Sequence, residues 1–342
     1  MNNLFKLAIT LVSLIVNFLW IPMAYAAGNP PTATVAPTAT TQILRAFKDC
    51  EDCPEMAQIP AGSITLGTDN SHDSRVISNE EPARQVFIRR YALSKTEITN
   101  AQFAAFVKAT HYQAGDTCWT YENGSFEERA DRNWEYPGFP AEDDRPVACL
   151  NVADVNAYAQ WLSRKTGRQY RLPTEGEWQF AAEVGGSAVG PDKKHEQPCV
   201  YANVDDATGN PQVPDNTWVL HSCTDGYTYA APVRSAKANA LGLYDMTGNS
   251  WEWTQDCHDP LNNSANINDV PVAGAPITGA PAYSNVAYST SNRQSNFECS
   301  KNVLRGGSWY LDTQLTYNAY RIWFDPSVRN FSYGFRLASS LQ

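Results

Sequence analysis

The stretch "GLYDMTGNSWEW", from Gly242 to Trp253, places two glycines and two tryptophans within twelve residues. Its middle part combines Asp, Gly and Asn, which favour turns, and glycine also lets two backbones approach closely. Tryptophan supplies a large buried surface in a domain that is short of long elements. A second stretch, "NVLRGGSWY" from Asn302 to Tyr310, repeats the pairing of glycine with tryptophan. Both stretches predict a domain held together by turns, short strands and buried aromatic rings.

Three segments outside these stretches carry the signals of helices. Thr99 and Gln102 fit a capping box, and apolar residues follow them at helical spacing. A second helix is predicted from about Ala153 to Lys165, with Gly167 as its stop. Thr174 is the predicted cap of a third helix.

Two carboxylates begin this third helix. Glu177 lies three residues after Thr174 and completes a capping box. Carboxylates favour helix N-termini because the helix dipole is positive there. We therefore interpret Glu175 and Glu177 as helix-terminus residues rather than as catalytic groups.

The remaining pattern indicates short strands. Gln58 to Gly67 alternates apolar and small residues around a glycine, which predicts a strand, a turn and a strand. Val86 to Leu93 predicts one continuous strand. From Gly185 to Gln342 the chain is nearly all turns and short strands. The sequence thus predicts an irregular α+β domain that is rich in loops.

The N-terminus resembles an export signal. Lys6 precedes an apolar run from Leu7 to Met23, and Ala24-Tyr25-Ala26 fits a signal-peptidase site. We predict that residues 1–26 are removed and that the protein is periplasmic or extracellular, without stable membrane insertion after cleavage. The alternative is an uncleaved membrane anchor, because the run is nearly long enough to span a bilayer; Pro22 and the cleavage site argue against it.

Residues 27–45 are rich in Pro, Thr and Ala and predict an extended linker. Residues 46–342 are near the upper size of a single domain. The net charge of −10 argues against a general affinity for nucleic acids.

The eight cysteines predict a disulfide framework, because an even number in an exported chain is typical of one. The sequence does not determine which cysteines pair. The simplest arrangement joins each cysteine to the next: Cys50–Cys53, Cys118–Cys149, Cys199–Cys223 and Cys257–Cys299. A redox-active Cys50–Cys53 pair is the alternative, but no βαβ pattern surrounds it. A zinc site would need a second CxxC or an HxxxH motif.

Six motifs, in this order, resemble the formylglycine-generating enzyme family, also called sulfatase-modifying factors. They are "AQIPAGSITLG", "YALSKTEITNAQFAAFV", "PVACLNVADVNAYAQWLSRKTGRQYRLPTEGEWQFAA", "ALGLYDMTGNSWEWTQD", "VLRGGSWY" and "YGFRLA", and they cover nearly all of Pro54 to Ala338. The resemblance implies an irregular fold related to C-type lectins, with low regular secondary structure, a small antiparallel sheet and a few helices.

The family's oxidases convert a substrate cysteine into formylglycine with oxygen and a copper ion held by two thiolates. Thiolates suit this role because soft ligands select Cu(I). The resemblance places the two cysteines at Leu311 and Thr316, and the tyrosine between them at Leu315. Copper binding is therefore not expected, and Cys299, which lies upstream, is the expected disulfide partner of Cys257.

The rest of this segment keeps candidate site residues. Ser308, Trp309, Tyr310 and Tyr317 belong to the family's active-site segment, and the resemblance places Trp251 and Ser308 in the peptide-binding cleft. Core packing explains Trp251 equally well, and a turn explains Ser308. Buried structural pairs are expected for three arginines, Arg305, Arg321 and Arg336.

Two further branches of the family bear on activity. The iron-dependent branch takes histidines from an added helical domain, whereas the five histidines of this chain are scattered. The pyoverdine-maturation proteins lack the two cysteines and are thought to oxidise a chromophore without a thiol-bound metal. A role of that class stays open here.

The resemblance also implies two calcium sites, since calcium prefers several oxygen ligands. The first set is Asn203, the Val204 carbonyl, Asp225 and the Tyr227 carbonyl. The second set is Asp245, Gly248, Ser250 and Glu252. Turn formation is the alternative interpretation of these acidic residues.

Three functions follow as hypotheses. The first is an exported, calcium-stabilised binding or pseudo-enzyme module for a peptide, protein or small-molecule ligand. The second is an oxidase of a peptide or small molecule that does not use cysteine, as in siderophore chromophore maturation, or one that carries out formylglycine-type oxidation at an unrecognised site. The third is a ligand-binding protein diversified by a retroelement. Residues 309–333 hold Tyr, Asp, Thr, Asn and Ser, which adenine-directed mutation yields, and such diversified proteins use this fold.

Overall fold

The computed structural model describes residues 46–67, 83–186, 198–206, 223–258, 299–310 and 318–341, together with a short strand at Thr34–Val35. The chain divides into a unit of Met1–Pro31, which lies outside the described residues, and a unit of Thr32–Gln342. The predicted signal and most of the predicted linker therefore lie outside the described residues. In the described ranges, no helix combines the length and apolar character that a membrane span requires.

The three predicted helices are confirmed. They are α1 (Asn100–Thr110), α2 (Val152–Thr166) and α3 (Glu175–Val184). Thr99 caps α1 and Thr174 caps α3, each through the predicted capping box. The cap of α2 is Asn151, which forms a capping box with Asp154, and Gly167 ends that helix at a φ of 76°.

The strands form small sheets in four groups within the described residues. The strands are β1 (Thr34–Val35), β2 (Met56–Ile59), β3 (Gly62–Leu66), β4 (Arg84–Ile88), β5 (Tyr91–Ser94), β6 (Thr117–Glu122), β7 (Ser125–Ala130), β8 (Tyr170–Arg171), β9 (Trp251–Cys257), β10 (Asn302–Arg305), β11 (Arg321–Phe324), β12 (Tyr333–Gly334) and β13 (Ala338–Ser340). The sheet orders are β1-β3-β4, β2-β5-β13-β8, β11-β10-β9-β12 and the hairpin β6-β7. All these pairings are antiparallel except that of β12 with β9. The predicted irregular α+β fold is confirmed.

The prediction of one strand from Val86 to Leu93 is wrong. β4 ends at Ile88 and pairs with β3, whereas β5 begins at Tyr91 and pairs with β2 and β13. Arg90, between the strands, is exposed and donates a hydrogen bond to Gln58. Every residue of β5 is buried, so this strand belongs to the interior and does not continue the half-exposed alternation of β4.

Helix α3 packs against the sheet that contains β3 and β4. Its buried side chains Trp178, Phe180 and Ala181 join the cluster that contains Val86 and Ile88 of β4. Gly176 lets the helix lie close to the sheet, since an added Cβ would be 3.2 Å from Ile88 Cδ1.

The sequential disulfide pairing is confirmed at all four positions. The bonds are Cys50–Cys53, Cys118–Cys149, Cys199–Cys223 and Cys257–Cys299. All eight cysteines of the chain are therefore oxidised, and no thiol is available as a metal ligand or nucleophile.

Candidate functional site

The two glycine–tryptophan stretches meet in the structure. Gly306 and Gly307 have φ values of 104° and 75° and turn the chain out of β10. The Gly248 N–H donates to the Gly306 carbonyl at 2.8 Å, and the Trp309 N–H donates to the Asn249 carbonyl at 3.1 Å. These bonds fix the segment Ser308–Tyr310 beside the start of β9.

Trp309 is the centre of an aromatic cluster. Its ring lies 5.8 Å from Phe139, 5.3 Å from Tyr229, 5.5 Å from Tyr310 and 5.3 Å from Phe331, in edge-to-face arrangements. Such contacts add to the stabilisation that comes from buried area. We call this group, together with Tyr121 and the Cys118–Cys149 disulfide, the Trp309 cluster.

Three polar atoms in and beside the Trp309 cluster are buried without a partner. Within the described residues, Ser308 Oγ, Trp309 Nε1 and Tyr121 Oη accept or donate no hydrogen bond. Each of these groups can donate, and buried donors in folded proteins are nearly always satisfied. Carbonyl or carboxylate oxygens would therefore satisfy these three groups, and the described residues supply none to them.

Tyr121 was not among the sequence-predicted site residues. It lies on β6, and its ring is 6.3 Å from that of Tyr310. Burial, with the neighbouring Tyr121 and Asp205, raises the pKa of Tyr310 above its ordinary value. Tyr310 is thus a neutral phenol at neutral pH, able to donate a hydrogen bond. Only the tertiary fold brings the hairpin to this segment, so no local motif could have identified Tyr121.

The other predicted residues of the segment have different positions. Trp251 is buried at the start of β9, and its ring packs 6.0 Å from Tyr320. This contact agrees with the core-packing interpretation of Trp251. Four positions of the family's active-site segment, Leu311, Leu315, Thr316 and Tyr317, lie outside the described residues.

The predicted arginine pairs are confirmed. Arg305 Nη1 lies 3.1 Å and Arg321 Nε 2.9 Å from the same oxygen of buried Glu175. The backbone N–H of Glu175 donates to Asp256 Oδ2 at 2.6 Å. Burial first, and then the charge of Glu175, raises the pKa of Asp256 to about 7. Glu175 thus anchors β10 and β11 at the N-terminus of α3.

The structure brings the first predicted calcium set together. Asp225 Oδ2 accepts from the Val204 N–H at 3.2 Å, and Asp225 Oδ1 accepts from the Tyr227 N–H at 2.8 Å. The amide oxygen of buried Asn203 has no hydrogen-bond partner in the described ranges. Burial, with the charge of Asp206, raises the pKa of Asp225 to about 6. The neighbouring carboxylates of Asp225 and Asp206 and the amide oxygen of Asn203 are oxygen ligands of the kind that a hard cation prefers.

The second predicted set is organised differently. Both carboxylate oxygens of Glu252 are occupied by Arg336, at 2.7 Å each, and Trp178 Nε1 donates to Oε2 at 2.7 Å. Ser250 Oγ lies 3.2 Å from the carbonyls of Trp251 and Ser332. Asp245 Oδ2 accepts from the Arg234 N–H at 2.9 Å. Glu252 is therefore committed to an ion pair in this arrangement.

Glu97 is a buried carboxylate beside the second set that sequence reasoning missed. Its Oε1 accepts from Asn249 Nδ2 at 3.0 Å. Burial, and then the charge of Asp245, raises the pKa of Glu97 well above its ordinary value, and burial raises the pKa of Asp245 to about 6. Among the described residues, no three Asp, Glu, His or Cys side chains form a metal-binding group, so backbone carbonyls would have to complete either set.

Comparison with known proteins gives consistent results. A family model described as the sulfatase-modifying factor enzyme 1-like domain matches residues 44–341. The formylglycine-generating enzyme of Bos taurus is 30% identical over 237 residues, which cover 59% of this chain and 58% of that protein. The inactive C-alpha-formylglycine-generating enzyme 2 of Mus musculus is 29% identical over 247 residues, covering 63% of this chain and 72% of that protein. The matched region thus spans less than two thirds of the bovine protein.

Solved structures show the same fold. PvdO from Pseudomonas aeruginosa superposes with a TM-score of 0.65 at 28% identity, covering 88% of this chain and 100% of that chain. Treponema denticola variable protein 1 superposes with a TM-score of 0.55 at 20% identity, covering 88% of this chain and 100% of that chain, and this likeness concerns the fold alone. Since the family match extends from residue 44 to residue 341, the chain belongs to the family of sulfatase-modifying factor enzyme 1-like domains.

Proposed function

We propose that this protein is an exported, calcium-stabilised binding module of its family that does not carry out copper–thiolate oxidation. The observation that carries the proposal is the state of the cysteines: all eight form disulfides, and the two positions that would hold copper are Leu311 and Thr316. Without thiolates the chain lacks the soft ligands that Cu(I) selects. A relative of similar identity is itself named inactive.

The Trp309 cluster is the proposed ligand site. Its unpaired donors, Trp309 Nε1 and Tyr121 Oη, would bind oxygen acceptors of a ligand, with Ser308 Oγ beside them. The aromatic rings would pack against the ligand's apolar part. The ligand class is a peptide, a protein segment or a small molecule that carries carbonyl or hydroxyl oxygens.

Calcium would stabilise the loops around this site. The first set fits the ion through Asn203, the Val204 carbonyl, Asp225 and the Tyr227 carbonyl. A bound cation there would neutralise Asp225, whose carboxylate is buried near Asp206. Because Asn203 Nδ2 also donates to the Tyr229 carbonyl at 2.9 Å, the ion would hold the loop that carries one ring of the Trp309 cluster.

Export is part of the proposal. Four disulfides are typical of proteins that mature in an oxidising compartment. The predicted signal peptide at residues 1–26 would direct the chain to export.

The test is an oxidation assay. The purified protein is incubated in air with a CxPxR peptide, with and without copper loading, and mass spectrometry follows the conversion of the peptide cysteine. A cysteine-containing formylglycine-generating enzyme is the positive control. We expect no formylglycine and no bound copper after dialysis. Formation of formylglycine at a rate near that of the control would refute the proposal.

A second candidate is oxidation of a small molecule without thiolates. It is favoured by the superposition with PvdO over 88% of this chain at 28% identity. Leu311 and Thr316 also stand where the family's two cysteines would lie, and the pyoverdine-maturation proteins lack these cysteines as well. A dihydroxyaromatic probe would lose two electrons and two protons to O₂, which would become hydrogen peroxide. Enzyme-dependent oxygen uptake with equimolar peroxide would support this candidate, and a flat oxygen trace would remove it.

A further inference from the structure

A cavity lies between the C-terminal end of α3 and residues 237–246. Its volume is about 380 Å³, which is within the size range of small-molecule pockets. The residues that define its chemistry are Gly185 at the end of α3, Tyr201, Lys237, Leu243, Asp245 and Met246. None of them belongs to the Trp309 cluster, so the cavity is a second candidate site.

Hydrogen bonds hold the walls of this cavity in place. Asn239, another lining residue, donates from Nδ2 to the Ala181 carbonyl at 3.2 Å, and its Oδ1 accepts from the Leu243 N–H at 3.1 Å. The Ala240 N–H donates to the Gly185 carbonyl at 2.7 Å. The cavity is therefore formed before a ligand binds, which lowers the entropic cost of binding.

The lining carries one ammonium group and one carboxylate. Lys237 is exposed, and its Nζ lies 5.3 Å from the centre of the Tyr201 ring. Asp245 is 3% exposed, and its Oδ2 accepts from the Arg234 N–H. Within the described ranges, neither Lys237 nor Asp245 forms a salt bridge, so the two groups do not neutralise each other. A ligand with one charge of each sign can pair with both groups.

The end of α3 adds to the preference for a positive charge on the ligand. A helix C-terminus carries a partial negative charge, which basic side chains often offset. The last turn of α3 contains no basic residue. An ammonium group of a ligand would therefore be stabilised beside Gly185, where the helix reaches the cavity.

We propose that this cavity binds a free α-amino acid with an apolar side chain. The ammonium group of the ligand would lie near Asp245 and the end of α3, and its carboxylate would pair with Lys237. Its side chain would pack on Leu243 and Met246, which are 1% and 3% exposed. The inference goes beyond the proposed function and requires no bound metal.

Calorimetric titration of the full-length protein with L-leucine and with L-phenylalanine tests the inference. The titrations are run with a chelator and again with Ca²⁺, because an ion on Asp245 would compete with the ammonium group of the ligand. Leucinamide lacks the carboxylate and N-acetylleucine lacks the ammonium group, so these two analogues are matched controls. We expect each analogue to bind about tenfold more weakly than leucine, or worse, because each loses one charge-assisted contact.

Two lysine variants locate the carboxylate contact. Lys237→Met removes the ammonium group and keeps most of the side-chain length. It should weaken leucine binding about tenfold and leave leucinamide binding unchanged, so that the two ligands bind alike. Lys108→Met removes an exposed lysine from the last turn of α1, outside the cavity, and should change neither affinity.

Protection of Lys237 from acylation gives a second readout that needs no variant. N-hydroxysuccinimidyl acetate acylates exposed lysines, and peptide mass spectrometry measures the rate at each site. Leucine should slow the acylation of Lys237 and leave that of Lys108 unchanged. The inference is overturned if neither amino acid shows saturable binding in either condition, if leucinamide binds as tightly as leucine, or if leucine does not protect Lys237. None of these outcomes bears on the Trp309 cluster, which shares no residue with the cavity.

Discussion

Arg336 donates hydrogen bonds of 2.7 Å to both carboxylate oxygens of Glu252, and neither side chain is exposed to solvent. The pair joins the chain after β12 to β9, and its geometry is bidentate. We expect Arg336→Met to destabilise the protein by about 3–5 kcal/mol, because it leaves a buried carboxylate without its partner. Urea unfolding, followed by tryptophan fluorescence, measures the change.

The control for this pair is a double-mutant cycle. Arg336→Met combined with Glu252→Gln removes both charges, so the double variant should lose less stability than the sum of the single variants. Strict additivity would show that the two side chains do not act as a pair.

Gly248 is expected to tolerate no side chain. Its φ is 74°, and an added Cβ would lie 2.1 Å from the Asn203 carbonyl oxygen. Gly248→Ala should therefore cost about 3 kcal/mol or more, from backbone strain and from loss of the close approach. Gly124→Ala is the matched control: its φ is 79°, but no atom lies within 4 Å, so strain alone should cost about 1 kcal/mol. Equal losses for both variants in thermal unfolding would contradict the role of the close approach.

The Cys118–Cys149 disulfide is expected to contribute more stability than Cys50–Cys53. The first bond closes a separation of 31 residues and the second a separation of 3. Loop-closure entropy predicts a loss of about 3–4 kcal/mol for Cys118→Ala/Cys149→Ala and about half of that for Cys50→Ala/Cys53→Ala. Unfolding midpoints of the two double variants in urea provide the comparison, and a larger loss for the short loop would count against this ordering.

Tyr121→Phe is expected to stabilise the ligand-free protein. Its hydroxyl is buried without a partner, so its removal should relieve roughly 1 kcal/mol of desolvation. Tyr91→Phe is the opposite case, because the Tyr91 hydroxyl donates to the Glu177 carbonyl at 2.6 Å, and its loss should cost about 1 kcal/mol. A loss of stability in Tyr121→Phe, measured by calorimetry, would indicate that the hydroxyl is satisfied in solution.

Asp256 should make stability fall as the pH rises. Its folded-state pKa is raised from 3.8 to about 7, so the folded state binds this proton more tightly than the unfolded chain does. The stability that this proton binding contributes is fully present below about pH 4, and it is lost as the pH rises from about 4 to about 7. Asp256→Asn can still accept the Glu175 N–H and should flatten the pH profile of Tm in that window. A profile identical to that of the wild-type protein would show that Asp256 titrates normally.

Some features of the fold were predictable because they depend on residues close in the chain. The capping boxes of α1 and α3 join residues three positions apart, and the structure contains both. The pairing of each cysteine with the next also closes short loops, and it is confirmed. The prediction of one continuous strand from Val86 to Leu93 was wrong, because the two halves of that segment pair with strands of different sheets.

The candidate site was predictable only in part. The resemblance indicated Ser308 to Tyr310 and the expected calcium residues. It also indicated that Leu311 and Thr316 stand where the family's two copper-binding cysteines would lie. The Tyr121 hydroxyl and the Glu97 carboxylate carry no local signal, since a lone tyrosine in a hairpin or a lone glutamate before a helix is ordinary in any sequence.

The sequence by itself determined the membership of the family, the helix starts and the loss of copper-binding thiols, because these depend on residue identity and short spacing. The tertiary structure alone decided which charges meet in the interior. Asn249 reaches Glu97 across 152 positions, and Arg336 reaches Glu252 across 84. Pairing over such distances follows from how the sheets pack, because each buried charge must find its partner after the chain has folded.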